Sequence, residues 1–114
     1  MLPDHRAAVV RAKARLDRLD LYPSPVRIDR VRVVVAPWFF RLPFLRRYHG
    51  YALIRTIMLK HADASEDLIT HELCHLWQMQ HHPIRMPLAY VRHPNRSNPF
   101  EVEARAAVAA TRVP

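Results

Sequence analysis

In the run LITHELCHLWQMQHH, Leu68 to His82, a histidine, a glutamate and a second histidine stand at positions 71, 72 and 75. On a helix of about 3.6 residues per turn, His71 and His75 lie one above the other with Glu72 beside them. Two imidazoles so placed reach one metal ion as neutral ligands, which preserves its Lewis acidity, and a carboxylate next to the first ligand can take a proton from water at the metal. The pattern is HExxH, written here H-E-L-C-H. The competing reading is a polar stripe on an ordinary amphipathic helix, and a third ligand is what separates the two.

His81, His82 and His93 are candidates for that ligand, but none fits well. His81 follows His71 at the spacing of HExxHxxGxxH, which needs glycine at the turn, where this chain has Gln78. If the helix continues through Gln78, His81 points away from His75. Distance alone admits His82 and His93. Glu101, in NPFEVEARAA, is the stronger candidate. Asn98 can cap a helix, Pro99 suits its first turn, and Glu101, Ala104, Arg105 and Val108 then share one face, with small Ala104 allowing a close approach. Two alternatives compete with it. Asn98 and Glu101 have the spacing of a capping box, which would use the carboxylate locally. Glu103 is also a carboxylate but faces away from Glu101, so at most one of them binds the ion. Cys74 lies about 100° from His75 around the helix and reads as a small packing residue, Leu76 and Trp77 as core, and Gln78 as an exposed or a supporting residue.

The elements around these residues follow from patterning. Val9, Ala12, Leu16 and Leu19 recur at helical spacing through residues 4 to 20, with Asp4 as N-cap and Pro23 and Pro25 as the stop. In RVRVVVA, Val31, Val33 and Val35 alternate as a strand that Pro37 ends. APWFFRLPFLRRYHG is an irregular connection folded over the sheet, and its Gly50 is the only glycine. YALIRTIMLK reads as one or two strands, with Ile57 and Leu59 on one face and Thr56, Met58 and Lys60 on the other. Ser65, Glu66 and Asp67 start the HExxH helix, which stops before Pro83 and has Ile69, Leu73 and Leu76 on its core face, while Leu68 and Met79 extend the histidine stripe. HHPIRMPLAYVRHPNRSNP is Pro-rich and aperiodic, and FEVEARAAVAATRV is a final Ala-rich helix.

A chain of 114 residues with 50% apolar and 25% charged residues fits one α+β domain. The net charge of +8 comes from sixteen arginines and two lysines against ten acidic residues. These arginines are spread from Arg6 to Arg112, and the tightest cluster is Arg41, Arg46 and Arg47. A basic surface of this kind offers nucleic acid as an alternative partner. A single cysteine and a charged N-terminus lead us to expect a reducing, cytoplasmic setting, and no apolar run is long enough to span a membrane.

THELCHLWQ followed by NPFEVEA resembles the gluzincin zinc peptidases, in which HExxH is joined by a Glu from a later helix, often in an ExxA context. The small size is similar to that of their minimal members, the minigluzincins. By order of elements the likeness spans about residues 51 to 110, and its specific part is His71, Glu72, His75, Glu101 and Ala104. It implies an N-terminal helix, a small mixed sheet of about three strands, the HExxH helix and a C-terminal helix carrying the third ligand. It also implies zinc held by His71, His75 and Glu101, with Glu72 as general base in the hydrolysis of a peptide or protein substrate, the endopeptidase activity being latent or expressed. Tyr90 and His93 are the candidates for a second donor to the oxyanion. The strand ending in TIMLK is expected to offer its edge to an extended peptide, and the cleft to be covered by residues 82 to 98, by the C-terminal ATRVP or by a second copy of the chain. Many gluzincins carry an Asp four residues after the ligand Glu that supports a zinc histidine. Here that position is Arg105, so support has to come from another residue. The alternative function is a metal-bearing fold that does not cleave and binds protein or nucleic acid.

Overall fold

The computed structural model describes residues 3–43, 45–46, 48–94 and 96–112, so Phe44, Arg47, Val113 and Pro114, which figure in the expectations for the loop, the basic cluster and the C-terminal stretch, lie outside the described residues. Along the chain come α1 (Pro3–Leu16), β1 (Arg32–Val35), a 3-10 turn (Pro37–Arg41), β2 (Gly50–Leu53), β3 (Thr56–Leu59), α2 (Glu66–His81), α3 (Arg85–Arg92) and α4 (Pro99–Thr111). This is the expected α+β layout, with one helix more than the pattern suggested.

Helix α2 is the centre of the molecule, packed against α1, α4 and both strands of the β2–β3 hairpin. Ile69, Leu73, Leu76 and Trp77 form its core face, and all are buried. Burying side chains of this size contributes about 1.5–3 kcal/mol each. Ser65 caps α2 by accepting from the Leu68 amide at 3.1 Å, and the helix ends at His81, before Pro83.

The sheet has the order β1-β3-β2, with β1 parallel and β2 antiparallel to β3. Ile57 and Leu59 face the helices and are buried, as the alternation predicts, and Gly50 and Ala52 are their cross-strand partners on that face. The TIMLK strand is therefore central, hydrogen-bonded on both sides, and cannot offer an edge to a substrate. The edges are β1 and β2, and β2 is the one that lines the cleft through Gly50. Alternation could not distinguish these positions, because both strands of a hairpin show the same period of two. The aromatic connection folds over the sheet as expected: Phe39 meets Tyr51 edge-on, and Phe40 and Leu45 are buried, although Trp38 stays 66% exposed.

Helix α1 and the segment after α2 differ from the sequence reading. Helix α1 starts at Pro3, so Asp4 lies in its first turn, and it ends at Leu16, where the backbone tightens through bonds from Arg18 to Arg15 and from Leu19 to Leu16. In the segment read as aperiodic, α3 accommodates Pro87 because this is the third helical residue, whose N–H would have had no acceptor within the helix. The two-residue turn between β2 and β3 places Ile54 at φ 56°, a conformation usually given to glycine. The single glycine is used elsewhere.

Asp67, in the first turn of α2, ties three helices together. It accepts from Arg15 of α1 and from Arg112 at the end of α4, both at 2.7 Å. The hydrogen bond from Arg15, opposed by burial and reinforced by Arg112, holds this carboxyl below its ordinary range. A depressed folded pKa means stability that is present above the unfolded value of about 3.9 and lost as pH falls through the folded one. Because the side chain is 41% exposed, Asp67→Asn is expected to cost only about 1 kcal/mol or less at neutral pH. The gap to wild type should close as pH falls below the ordinary carboxylate range and through the depressed folded-state value. Urea unfolding of both proteins across that range checks this, and a gap of constant size would exclude the ion pairs as its source.

Candidate metal centre

The imidazole Nε2 atoms of His71 and His75 stand 3.1 Å apart, and the Glu101 carboxylate closes on both. Oε1 lies 2.8 Å from His71 Nε2, and Oε2 lies 3.0 Å from His75 Nε2. The donor atoms of these three residues fall within 4.8 Å of one another, and the cluster could bind a metal ion. Helix α4 delivers Glu101 through its cap. Asn98 Oδ1 accepts from the Phe100 amide at 2.8 Å, and its amide donates to the His93 carbonyl, so no capping box forms and the Glu101 carboxylate is left to turn towards α2. Ala104, fully buried one turn on, keeps the two helices close.

Gln78 fixes the state of His75. It is fully buried, its amide nitrogen donates to the Phe100 carbonyl at 2.8 Å and to Glu103 Oε1 at 3.0 Å, and its carbonyl oxygen faces His75 Nδ1 at 2.8 Å. Two acceptors claim the amide nitrogen, so Oε1 can only accept, and His75 must donate from Nδ1. The Nε2 lone pair then points at the cluster, the tautomer a metal ligand needs. Glu103 is held in turn by the Tyr22 hydroxyl. The carboxylate that seemed a rival ligand thus supports a ligand from behind, in the role for which Arg105 is unsuited.

The electrostatics also suit a cation. Burial disfavours protonated His75, yet hydrogen bonding to Glu101 and the charges of Glu72 and Glu101 outweigh it, and its pKa is raised. Glu101 is lowered, its burial being overcome by the hydrogen bonds to His71 and His75. A site that draws a proton between two imidazoles and a carboxylate draws a metal cation for the same reason. The donor set therefore fits a metal.

Glu72 is buried in the same wall, and burial, followed by the nearby Glu101 charge, raises its pKa against the opposing histidines. Gly50 of β2 packs against it. A Cβ on Gly50 would stand 3.1 Å from Glu72 Cγ, 3.2 Å from Oε2 and 3.2 Å from Leu68 Cδ1. The only glycine of the chain is thus the point where the edge strand passes over Glu72. Gly50→Ala is expected to displace the Glu72 carboxylate by a few tenths of an ångström while leaving the three donors in place. Metal affinity should stay within about twofold, and any reaction that uses Glu72 should slow about tenfold or more. Parallel metal titration and rate measurements check the split.

Tyr90 belongs to the site. Its hydroxyl donates to Glu101 Oε2 at 3.0 Å, its ring lies edge-on to His75, and burial, followed by the Glu101 charge, keeps it protonated. His93 is not brought to the cluster: it caps the end of α3 with an exposed side chain. His81 stacks on Tyr22 with its Nε2 3.2 Å from the Ser24 carbonyl, and the His82 ring lies against Phe100, so neither reaches the metal position. Cys74 is fully buried, and burial pushes its thiol up to about 12, as expected of a packing residue. Met79 leaves the histidine stripe for a separate cleft of about 510 Å³ near Ile54 and Pro83.

The cluster opens into a cleft of about 800 Å³ between β2, α2 and α4. Arg96 and Arg112 line this cleft, and Tyr90 reaches the cluster through Glu101. Among the described residues, no helix is long and apolar enough to cross a membrane. Compared with protein-family models, characterised proteins and solved structures, the chain matches none.

Proposed function

We propose that the chain is a zinc-dependent peptidase of the gluzincin type, with His71, His75 and Glu101 as ligands and Glu72 as general base. The observation that carries this reading is the convergence of the three donors beside a buried carboxylate at the floor of an open cleft. Two imidazoles and one carboxylate suit zinc, and three protein ligands leave a position open. When bound, zinc would supply Lewis acidity towards the peptide carbonyl and water. Glu72 takes the proton from that water and returns it to the departing amine. Its burial, which destabilises the charged form, favours the proton-carrying state that the second step needs. Tyr90 keeps its proton, and its hydroxyl, which donates to Glu101 Oε2, would turn to the developing oxyanion once a metal takes that carboxylate. An extended substrate pairs with the edge of β2, the strand that Gly50 allows to lie close to Glu72.

The test is to load the purified chain with zinc, determine stoichiometry and affinity, and follow cleavage of an unfolded protein substrate. One zinc per chain is expected, lost together with activity on chelation and restored on readdition. A crystal whose zinc-edge anomalous peak lies away from Glu101 would sink the ligand assignment. Full occupancy without cleavage would leave the alternative, a metal-bearing protein- or nucleic-acid-binding module.

A further inference from the structure

We infer that the cleft selects peptides carrying a carboxylate close to the scissile bond, held by Arg105 and Arg96; this rests on the peptidase reading above. Glu101, Arg105, Val108 and Arg112 are spaced by four, three and four residues, so they form one stripe along α4, and all four line the cleft. The stripe begins at the metal cluster and runs away from it. Helix rise puts Arg105 about 6 Å beyond Glu101, and an extended peptide advances about 3.3 Å per residue. The backbone at Arg105 thus stands about two peptide residues beyond that at Glu101.

The charges of this wall are unequally spent. Arg112 is committed to Asp67, which Arg15 also holds. The carboxylate of Glu101 is taken by His71, His75 and Tyr90. Arg105 donates from one terminal guanidinium nitrogen to the Arg96 carbonyl at 2.8 Å, which anchors one corner of the group and leaves the rest of its planar donor set available. Among the described residues, no carboxylate pairs with Arg105 or Arg96. Two uncompensated guanidinium groups in a concave wall attract an anion more strongly than on open surface, and their shape matches a carboxylate.

The anion is a peptide carboxylate rather than a nucleic-acid backbone. A run of phosphates through the cleft would place successive negative charges against Asp67, Glu72 and Glu101, which line it too. One carboxylate has only to meet Arg105 and Arg96. Here the departure from the gluzincin pattern becomes a specificity element: Arg105 reads the substrate, while Gln78 and Glu103 hold His75.

The experiment uses zinc-loaded Glu72→Gln protein, to prevent turnover, and fluorescent octapeptides that differ only in Glu or Gln at successive positions. Anisotropy titrations are expected to show about tenfold tighter binding for Glu at one or two positions. The advantage should disappear in Arg105→Gln, persist in part in Arg105→Lys and shrink as salt rises. Equal affinity for the Glu and Gln peptides, or a preference that survives Arg105→Gln combined with Arg96→Gln, overturns the inference. So does a single-stranded oligonucleotide that binds more tightly than the best peptide through the same arginines. Wild-type turnover separates the two readings. Cleavage of both peptides with equal kcat/KM sinks the selectivity and leaves the peptidase. A Glu preference in binding with no cleavage of either sinks the peptidase and supports a carboxylate-reading cleft.

Discussion

Glu72→Gln protein is expected to bind zinc as tightly as wild type and to lose peptide turnover by about a hundred- to ten-thousandfold. The expectation follows from where Glu72 sits. It is adjacent in sequence to a donor but not among the three that converge, so removing its charge leaves the ligand set whole. Glutamine has the same shape and fits beneath Gly50, where a larger or branched replacement would disturb β2. What it lacks is a basic oxygen that can take a proton and give it back. Zinc affinity by chelator competition, beside kcat and KM on one peptide, decides the matter. Loss of zinc in parallel with activity would move Glu72 into the ligand set, and unchanged turnover would remove it from the chemistry.

The contrast between Glu72 and its surroundings shows what a sequence can reveal about such a site. His71, Glu72 and His75 were legible because one helix fixes their mutual placement, and helical periodicity is local. Glu101 was legible because Asn98 and Pro99 mark the start of its helix and thereby set its face, although nothing local could decide whether the carboxylate would turn back to the cap or across to α2. The tertiary contact decided it. Gln78 was ambiguous for the same reason: its role depends on Glu103 and the Phe100 carbonyl, more than twenty residues away. Gly50 looked like a loop residue, and its actual constraint is a side chain on another element. The central position of β3 and the short α3 were likewise hidden, the first because strand order is not written in strand pattern, the second because proline in the first turn of a helix looks the same in sequence as proline in a loop.

The largest expected loss of metal affinity outside the donors themselves comes from Gln78. Methionine has nearly the same length and would fill the space, but it can neither accept from His75 Nδ1 nor donate to Glu103 and the Phe100 carbonyl. Because Gln78 is fully buried, water does not take its place without a rearrangement. Each buried polar group left without a partner costs about 1–3 kcal/mol. The metal-free protein should therefore lose a substantial part of a stability that in small domains totals only about 5–15 kcal/mol. His75 would also be free to turn or to exchange its tautomer, presenting Nε2–H to the metal position in a fraction of molecules. Zinc affinity is then expected to fall about 10- to 100-fold. Urea unfolding with and without zinc, together with chelator competition, measures both effects on the same sample. A stability loss with unchanged affinity would make Gln78 a packing residue only. Falling affinity with retained stability would place its entire effect on the orientation of His75. The hydrogen-bond chain from Tyr22 through Glu103 and Gln78 to His75 requires both to fall, because the same three bonds hold the core together and aim the ligand.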